Sequence, residues 1–410
     1  MTDQANRSGT GSAAGKKAVL AYSGGLDTSV TIHWLGDQGY EVHAVAVDVG
    51  QHEDFGEIVT RGERAGAASV RVIDAVDRFA ADYLTRAIKA NGLYEGKYPM
   101  VSGLARPAIV EEVVEVAREV DADTVAHGCT GKGNDQVRFE VGFGVLAPDL
   151  HVLAPIRDAH IPRDKAIALA EEWGIPVSDV ATKYSIDENL WGRTAECGPL
   201  EDPWVAPPED AFDRTAAPAD RPTEPTEIVA AFERGLPVAL DGEAATLPEV
   251  IRALDELGGR YGFGRVDMIE NRRVGIKSRE LYEVPGALAI ILAHQALEDV
   301  TLERDTAHAK PQLEQRWADL VYDGQWFSPL REAIDAFVDV TQTHVTGDVR
   351  LRFEPGSCTV VGRRSPHSLY DLSLATYGSE DAFDQSHAAG YLRLYGLPLK
   401  VWSAKQRAGQ

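Results

Sequence analysis

The sequence is poor in cysteine, in positive charge and in long apolar runs, and each shortage removes a class of function. Its three cysteines, Cys129, Cys197 and Cys358, stand far apart with no C-x-x-C, so neither a disulfide framework nor a zinc site is indicated. Lys and Arg number 41 against 64 Asp and Glu, a formal charge of -23. That balance argues against a nucleic-acid partner, because such a surface needs clustered cations to neutralise phosphates. No apolar run approaches the roughly 20 residues of a membrane span. The first residues also lack the basic and apolar regions of a signal peptide, so no membrane partner and a cytoplasmic location are expected. Neither G-x4-G-K-[S/T] nor G-x-G-x-x-G occurs, which removes the commonest nucleotide-loop spellings.

What remains is an ordinary globular composition, 44% hydrophobic and 26% charged over 410 residues, with room for two domains. Residues 1–15 are Gly, Ser, Ala and polar, without periodicity, and read as a disordered extension. From 16 to 183 strand and helix patterns alternate: strands at 17–22, 41–47, 69–73, 123–127 and 151–153, helices at 54–66, 77–91, 107–120 and 163–173. The helix beginning at Pro107 places Ile109, Val110, Val113, Val114, Ala117 and Val120 on one stripe. The expected class is α/β, a doubly wound parallel-sheet nucleotide-binding domain followed by an α+β domain over 184–375 and a C-terminal arm over 376–410. Pro, Ala, Asp and Glu dominate 198–226, which reads as an extended excursion or linker. Beyond it the pattern gives a hairpin at Asp241-Gly242, a loop-rich run from Gly262 to Gly286, helices near 247–260, 287–303, 311–322 and 329–345, and a hairpin at Glu354-Pro355-Gly356. The arm carries Tyr391, Leu392, Leu394, Leu397, Leu399 and Trp402, too apolar for a free tail and too short for a core of its own.

Two glycine loops carry the chemistry. Ala21-Tyr22-Ser23-Gly24-Gly25-Leu26-Asp27-Thr28-Ser29 follows a strand and opens a helix. Adjacent glycines let the backbone approach a phosphate, and helix-start N–H groups point at it. A tight turn capped by Asp27 or Thr28 is the bland alternative. The nine residues resemble the S-G-G-x-D-[S/T] loop of the ATP-pyrophosphatase group, which implies a grip on the β,γ-pyrophosphate of ATP and release of AMP and pyrophosphate. The second loop, HGCTGKGNDQVRFE at 127–140, also leaves a strand for a helix. Its glycines alternate with Thr130, Lys132 and Asn134, so backbone N–H groups, a hydroxyl, an amide and a cation converge. Cys129 has no local base and reads as a packed residue.

Together with VDVGQ at 47–51, LYEGKY at 93–98, ARP at 105–107, APIR at 154–157, GRVDMIENRRVGIKSRELYEVPG at 264–286 and ADLVYDGQW at 318–326, these loops resemble argininosuccinate synthase, in that family's order. The resemblance implies that citrulline and aspartate are joined with ATP and Mg2+, through a citrullyl-AMP intermediate. It places ATP at Ala21, Tyr22, Ser23, Gly24, Gly25, Leu26, Asp27, Thr28, Ser29, the backbone of Val47, Gly128 and Lys132, and aspartate at Thr130, Asn134 and Asp135. Citrulline falls to Tyr98, Asn134, Arg138, Ser185, Thr194, Glu270 and Tyr282. Asp27 and Lys132 are the candidate catalytic groups, no metal ligand is assigned, and a homotetramer is implied. Gly103 stands where the family often has a citrulline-binding Ser, and Thr194 replaces another Ser.

Rival readings fit less of the chain. A tRNA-modifying relative should show a basic face or paired reactive cysteines, an amidotransferase needs a Cys-His glutaminase half, and a nucleotide sensor leaves Glu270 and Arg138 without a task.

Overall fold

Ala18 and Leu20 alternate with Val19 and Ala21, and all four are buried, the first pair in one hydrophobic cluster and the second in another. A strand apolar on both sides belongs in the middle of a covered parallel sheet, and that is where it lies. The computed structural model describes residues 15–175 and 183–408. The extension expected over 1–15 falls outside the described residues save the last. Strands β1 (Lys16–Ala21), β2 (Tyr40–Asp48), β3 (Ser69–Asp74), β4 (Thr124–His127) and β5 (His151–Leu153) form a parallel sheet in the order β3-β2-β1-β4-β5. Helices Leu26–Asp37 and Arg163–Glu172 cover one face and Val101–Glu119 the other. The doubly wound class is therefore present, with chain order reversing between β1 and β4.

Further strands are β6 (Ser185–Asn189), β7 (Gly192–Glu196), β8 (Thr226–Glu233), β9 (Leu236–Leu240) and β10 (Glu243–Ala244). They are followed by β11 (Arg265–Asn271), β12 (Lys277–Glu283), β13 (Gly347–Glu354) and β14 (Ser357–Arg364). They make a four-stranded sheet β11-β12-β7-β6 and a five-stranded sheet β10-β9-β8-β13-β14. Residues up to His367 form one compact unit and Ser368–Gln410 a second. In the second unit, helices Ser386–Tyr395 and Leu397–Ala408 have no buried residue.

Four expectations need correction. The long helix starts at Val101, so Pro107 is inside it. An interior proline costs about 3 kcal/mol, whereas each fully buried Val or Leu returns about 1.5–3 kcal/mol, and Val101, Leu104, Val110 and Val113 are all fully buried. The helix expected over 77–91 is broken by a π-helical turn at Ala80–Leu84. The run Gly262–Gly286 is no loop but the β11–β12 hairpin. Residues 198–226 are irregular yet packed: Leu200, Ala211 and Phe212 join Ala195 and Leu281 in a small core beneath the four-stranded sheet. The Glu283 carboxylate also accepts from the N–H groups of Asp213 and Thr215.

Candidate active site

The carboxyl ends of β1 and β4 are neighbours, and both glycine loops leave from there, at the reversal point where open α/β sheets bind ligands. Helix Leu26–Asp37 has Gly25 as its N-cap, without a side-chain capping bond. Asp27 and Thr28 therefore do not cap it, and first-turn N–H groups stay open for an anion. Gly24 has φ +72 and a Cβ there would meet Ile58 Cγ1 at 2.7 Å, so the turn requires glycine. Ser23 and Thr28 hydroxyls lie 3.2 Å apart, Ser29 donates to the Gly25 carbonyl at 2.9 Å, and Arg61 donates to the Gly24 carbonyl. Burial pushes the Asp27 carboxyl up, opposed by Arg163. The Val47 carbonyl accepts from Gln51 Nε2 at 3.0 Å.

The second loop packs directly on the first. A Cβ on Gly128 would stand 2.8 Å from Thr28 Cγ2 and 3.1 Å from Thr28 N, so the two backbones approach as only glycine allows. Gln136 Nε2 donates to the carbonyls of Gly131 and Gly133 at 2.7 and 3.2 Å, which fixes the loop's path. Thr130 and Lys132 lie exposed on its outer part, and the Lys132 carbonyl accepts from Arg272 at 3.2 Å. Cys129 packs against the main core, and burial raises its thiol, as suits a packed residue. Beside the loop opens a cavity of about 340 Å³ lined by Arg272, Arg273 and Arg316 together with Asp319 and Asp323, a mixed-charge wall in which Arg273 pairs with Asp323 at 3.3 Å.

Helix Asp135–Leu146 then delivers Asp135 and Arg138. Arg138 Nη1 donates to Asp135 Oδ1 at 2.8 Å, and Arg106 Nε donates to the other oxygen at 3.0 Å. Burial pushes Asp135 up, but Arg106 and Arg138 outweigh it and hold the carboxyl below the usual range. Arg106 continues to Asp187 Oδ2 at 2.7 Å, which also accepts from Ser102.

Opposite strand partners share a face of an antiparallel sheet, so register shows what the four-stranded sheet presents. One row is Asp187, Thr194, Tyr282, Val266 and the next is Ser185, Glu196, Glu280, Met268, with Glu270 paired to Ser278 beyond it. Ser185, Thr194, Glu270 and Tyr282 thus share one polar face. Tyr282 and Tyr322 donate to the two oxygens of Glu270 at 2.7 and 2.8 Å. Tyr98 stacks on Tyr282 at 3.9 Å and Tyr94 on Tyr322 at 3.6 Å. Asn134 Nδ2 donates to Tyr322 OH at 2.7 Å, and the Arg138 guanidinium lies 5.1 Å from the Tyr322 ring. Burial pushes the Glu270 carboxyl up, and bonds from Tyr282 and Tyr322 oppose it. A carboxylate walled by aromatic rings suits an ammonium, and a guanidinium next to it suits a carboxylate, so this end can hold an α-amino acid.

The match to known proteins runs along nearly the whole chain. Residues 17–176 match the family model described as "Arginosuccinate synthase N-terminal HUP domain" and 184–402 the one described as "Arginosuccinate synthase C-terminal domain". The argininosuccinate synthase of Bacillus licheniformis is 53% identical over 396 residues, covering 96% of this chain and 98% of that one. The chain belongs to the argininosuccinate synthase family. The family's enzyme from Bacillus subtilis is 52% identical with the same coverage. A solved 4-thiouridine synthetase–RNA complex with bound ATP covers 39% of this chain and 41% of that one, at 17% identity and a TM-score of 0.31, too low to bear on function. The chain is thus an ATP-using ligase whose family joins citrulline to aspartate in arginine biosynthesis. Among the described residues no helix is long and apolar enough to cross a membrane.

Several groups at the site carry no assignment from sequence. Tyr322 closes the Glu270 end, Arg106 and Asp187 join the second loop to the polar sheet face, and Arg61 touches the first loop. Arg106 and Tyr322 lie in the quoted ARP and ADLVYDGQW stretches, so the signal for them was present, whereas Asp187 and Arg61 had none.

Proposed function

We propose that the two loops and the polar sheet face form one active site in which citrulline is adenylated before aspartate attacks. Residues 21–29 hold the pyrophosphate end of ATP, with Val47, Gly128 and Lys132 completing the nucleotide site. Citrulline's ammonium meets Glu270 beside the stacked Tyr98 and Tyr282 rings, its carboxylate meets Arg138 and Asn134, and Ser185 and Thr194 add hydroxyls. Aspartate is held by Thr130, Asn134 and Asp135. The ureido oxygen attacks the α-phosphorus, pyrophosphate departs, and the aspartate amine then displaces AMP from the ureido carbon. Catalysis is positioning and charge neutralisation, because adenylation itself activates the carbon.

Magnitudes show what the loop needs beside it. A helix N-terminus supplies about 0.3–1 kcal/mol, while a useful enzyme removes at least roughly 8 kcal/mol of barrier. Lys132 and Mg2+ fill that gap, with Asp27 the carboxylate at hand. Among the described residues no group of three or more His, Cys, Asp or Glu could hold a metal; Mg2+ would be held by the nucleotide phosphates and one carboxylate. Bound there, it would offset phosphate charge. Functionally the chain divides into a nucleotide domain over 16–183, a synthetase domain over 184–375 and an oligomerisation arm over 376–410, in a cytoplasmic homotetramer.

The observation that supports this most is the uncapped helix start at Gly25, on which the second loop packs at Gly128 while the same loop's Asn134 donates to Tyr322 and Tyr322 to Glu270. The test is pyrophosphate release from ATP. It should require citrulline, and argininosuccinate should form only when aspartate is added. Release indifferent to citrulline would turn the reading toward a nucleotide hydrolase or sensor.

A further inference from the structure

We propose that His294 is held as a buried imidazolium and is a positioning residue for the tyrosines around Glu270, because both its ring nitrogens face amide oxygens that their own hydrogen bonds lock in place. His294, on helix Pro285–Thr301, is fully buried. Its Nδ1 is 2.6 Å from Asn91 Oδ1 and its Nε2 is 2.7 Å from Gln342 Oε1.

The amides cannot be turned around. Asn91 Nδ2 uses both hydrogens on carboxylates, Glu298 Oε2 and Glu314 Oε1, each at 2.7 Å. Gln342 Nε2 donates to Glu298 Oε1 at 2.7 Å and to Thr341 Oγ1 at 3.0 Å, and the Thr341 hydroxyl spends its own hydrogen on the Val338 carbonyl. Both amide oxygens are therefore left to accept, and both imidazole nitrogens must donate. Charge agrees. Lys310 donates to the Lys89 carbonyl at 2.8 Å, to Glu298 at 2.9 Å and to Glu314. Lys89 is taken up by Asp339 at 2.7 Å, so one ammonium, Lys310, faces two carboxylates and an imidazolium balances the set.

The groups facing His294 are Glu298 on its own helix, Lys310 and Glu314 on helix Arg304–Tyr322, Lys89 and Asn91 at the end of helix Thr85–Lys89, Gln342 after helix Pro329–Thr341, and the uncharged Phe232 ring on β8. Burial, with Lys310 and Lys89 adding to it, outweighs Glu298 and the Gln342 bond and pulls the imidazole toward its neutral form. Hydrogen-bond geometry points the other way and is the firmer ground, since a neutral ring would set a bare nitrogen lone pair against an amide oxygen.

The cluster's position gives it a task, one that rests on the assignment of Tyr98 and Glu270 to citrulline. Asn91 begins the segment that carries Tyr94 and Tyr98, and Tyr94 stacks on Tyr322, the last residue of the helix bearing Lys310 and Glu314. His294 bonds the segment that carries Tyr94 and Tyr98, and Glu298 on the same helix pairs with Lys310 on the helix that ends at Tyr322; Tyr282, on β12, is the one of the four outside this tie.

The test uses the full-length protein labelled with 15N-histidine. Near neutral pH one ring should show both nitrogens protonated, identified by its loss in His294→Gln, or by its shift in Gln342→Asn should the first fail to fold. A bare ring nitrogen on His294 overturns the proposal. In kinetics, His294→Gln should lower kcat/KM for citrulline by up to ~100-fold while leaving the ATP KM in place. Arg138→Ala is measured alongside. If Arg138→Ala weakens citrulline use and His294→Gln does not, or His294→Gln weakens ATP equally, the positioning role is overturned and the site assignment stands. If Arg138→Ala leaves citrulline use unchanged, the site assignment falls and the positioning role with it.

Discussion

Arg138 and Asp135, three residues apart on one helix, form an ion pair at 2.8 Å in which Arg138 is buried and Asp135 half-buried, and Arg138 Nε is spent on the Tyr322 carbonyl at 3.1 Å. The guanidinium is therefore oriented before any substrate arrives, which lowers the entropy cost of binding a carboxylate. Arg138→Ala should reduce kcat/KM for citrulline roughly 10- to 200-fold, the effect of losing a hydrogen bond of about 1.5–3 kcal/mol to a charged group, with ATP affinity kept. Asp135 retains Arg106 at 3.0 Å, so the variant should still fold. Steady-state kinetics with each substrate varied checks this, and an unchanged citrulline KM and kcat/KM would remove Arg138 from the site.

Gly103 offers a test in the opposite direction. A Cβ there would lie 3.4 Å from Met100 Cβ and 3.7 Å from Arg138 Nη2, ordinary contacts, in a helix where glycine is a poor former. Gly103→Ser should fold at least as stably and lower the citrulline KM by adding a hydroxyl near Arg138. A raised citrulline KM with intact thermal stability would show that this space is needed by the substrate.

Glu270 predicts a pH dependence. Burial, only partly offset by Tyr282 and Tyr322, puts its pKa above the ordinary carboxylate value. It therefore takes up a proton earlier than usual as pH falls, and the neutral acid no longer answers an ammonium. The profile of kcat/KM for citrulline should fall on the acid side at a pH above the usual carboxylate range. Glu270→Gln should be weak throughout and lack that fall. An acid limb that survives unchanged in Glu270→Gln assigns it to another group.

The C-terminal unit predicts an assembly effect. Leu392, Leu394, Leu399 and Trp402 are all exposed on helices Ser386–Tyr395 and Leu397–Ala408, more apolar surface than a free tail carries. Truncation after Gly390 should lower the mass seen by light scattering. A truncated protein that keeps the full-length mass would take the arm out of the oligomer.

Much of the fold was legible because local chemistry and packing agree there. β1, the glycine turn and helix Leu26–Asp37 read directly from apolar spacing and from a turn that only glycine can make. β6, β7, β11 and β12 escaped notice for a physical reason: their functional face carries Ser185, Asp187, Thr194, Glu196, Glu270 and Glu280, which breaks the apolar alternation that marks a strand. The same polar residues that make the site hid the sheet that holds it. Asp187 reaches the site through its contact with Arg106, far away in sequence, which no local pattern encodes. Helix Val101–Glu119 begins ahead of Pro107, although proline usually marks a first turn, because burial overrides that preference.

The central claim is that the first loop holds the pyrophosphate end of ATP, so that the ureido oxygen of citrulline attacks the α-phosphorus and leaves within AMP. Citrulline labelled with heavy oxygen in its ureido group tests it, with the nucleotide product analysed by mass spectrometry. The account predicts the label in AMP, one heavy oxygen per turnover. Unlabelled AMP, with the label in water or phosphate, would contradict both the adenylated intermediate and the role given to Ser23–Ser29.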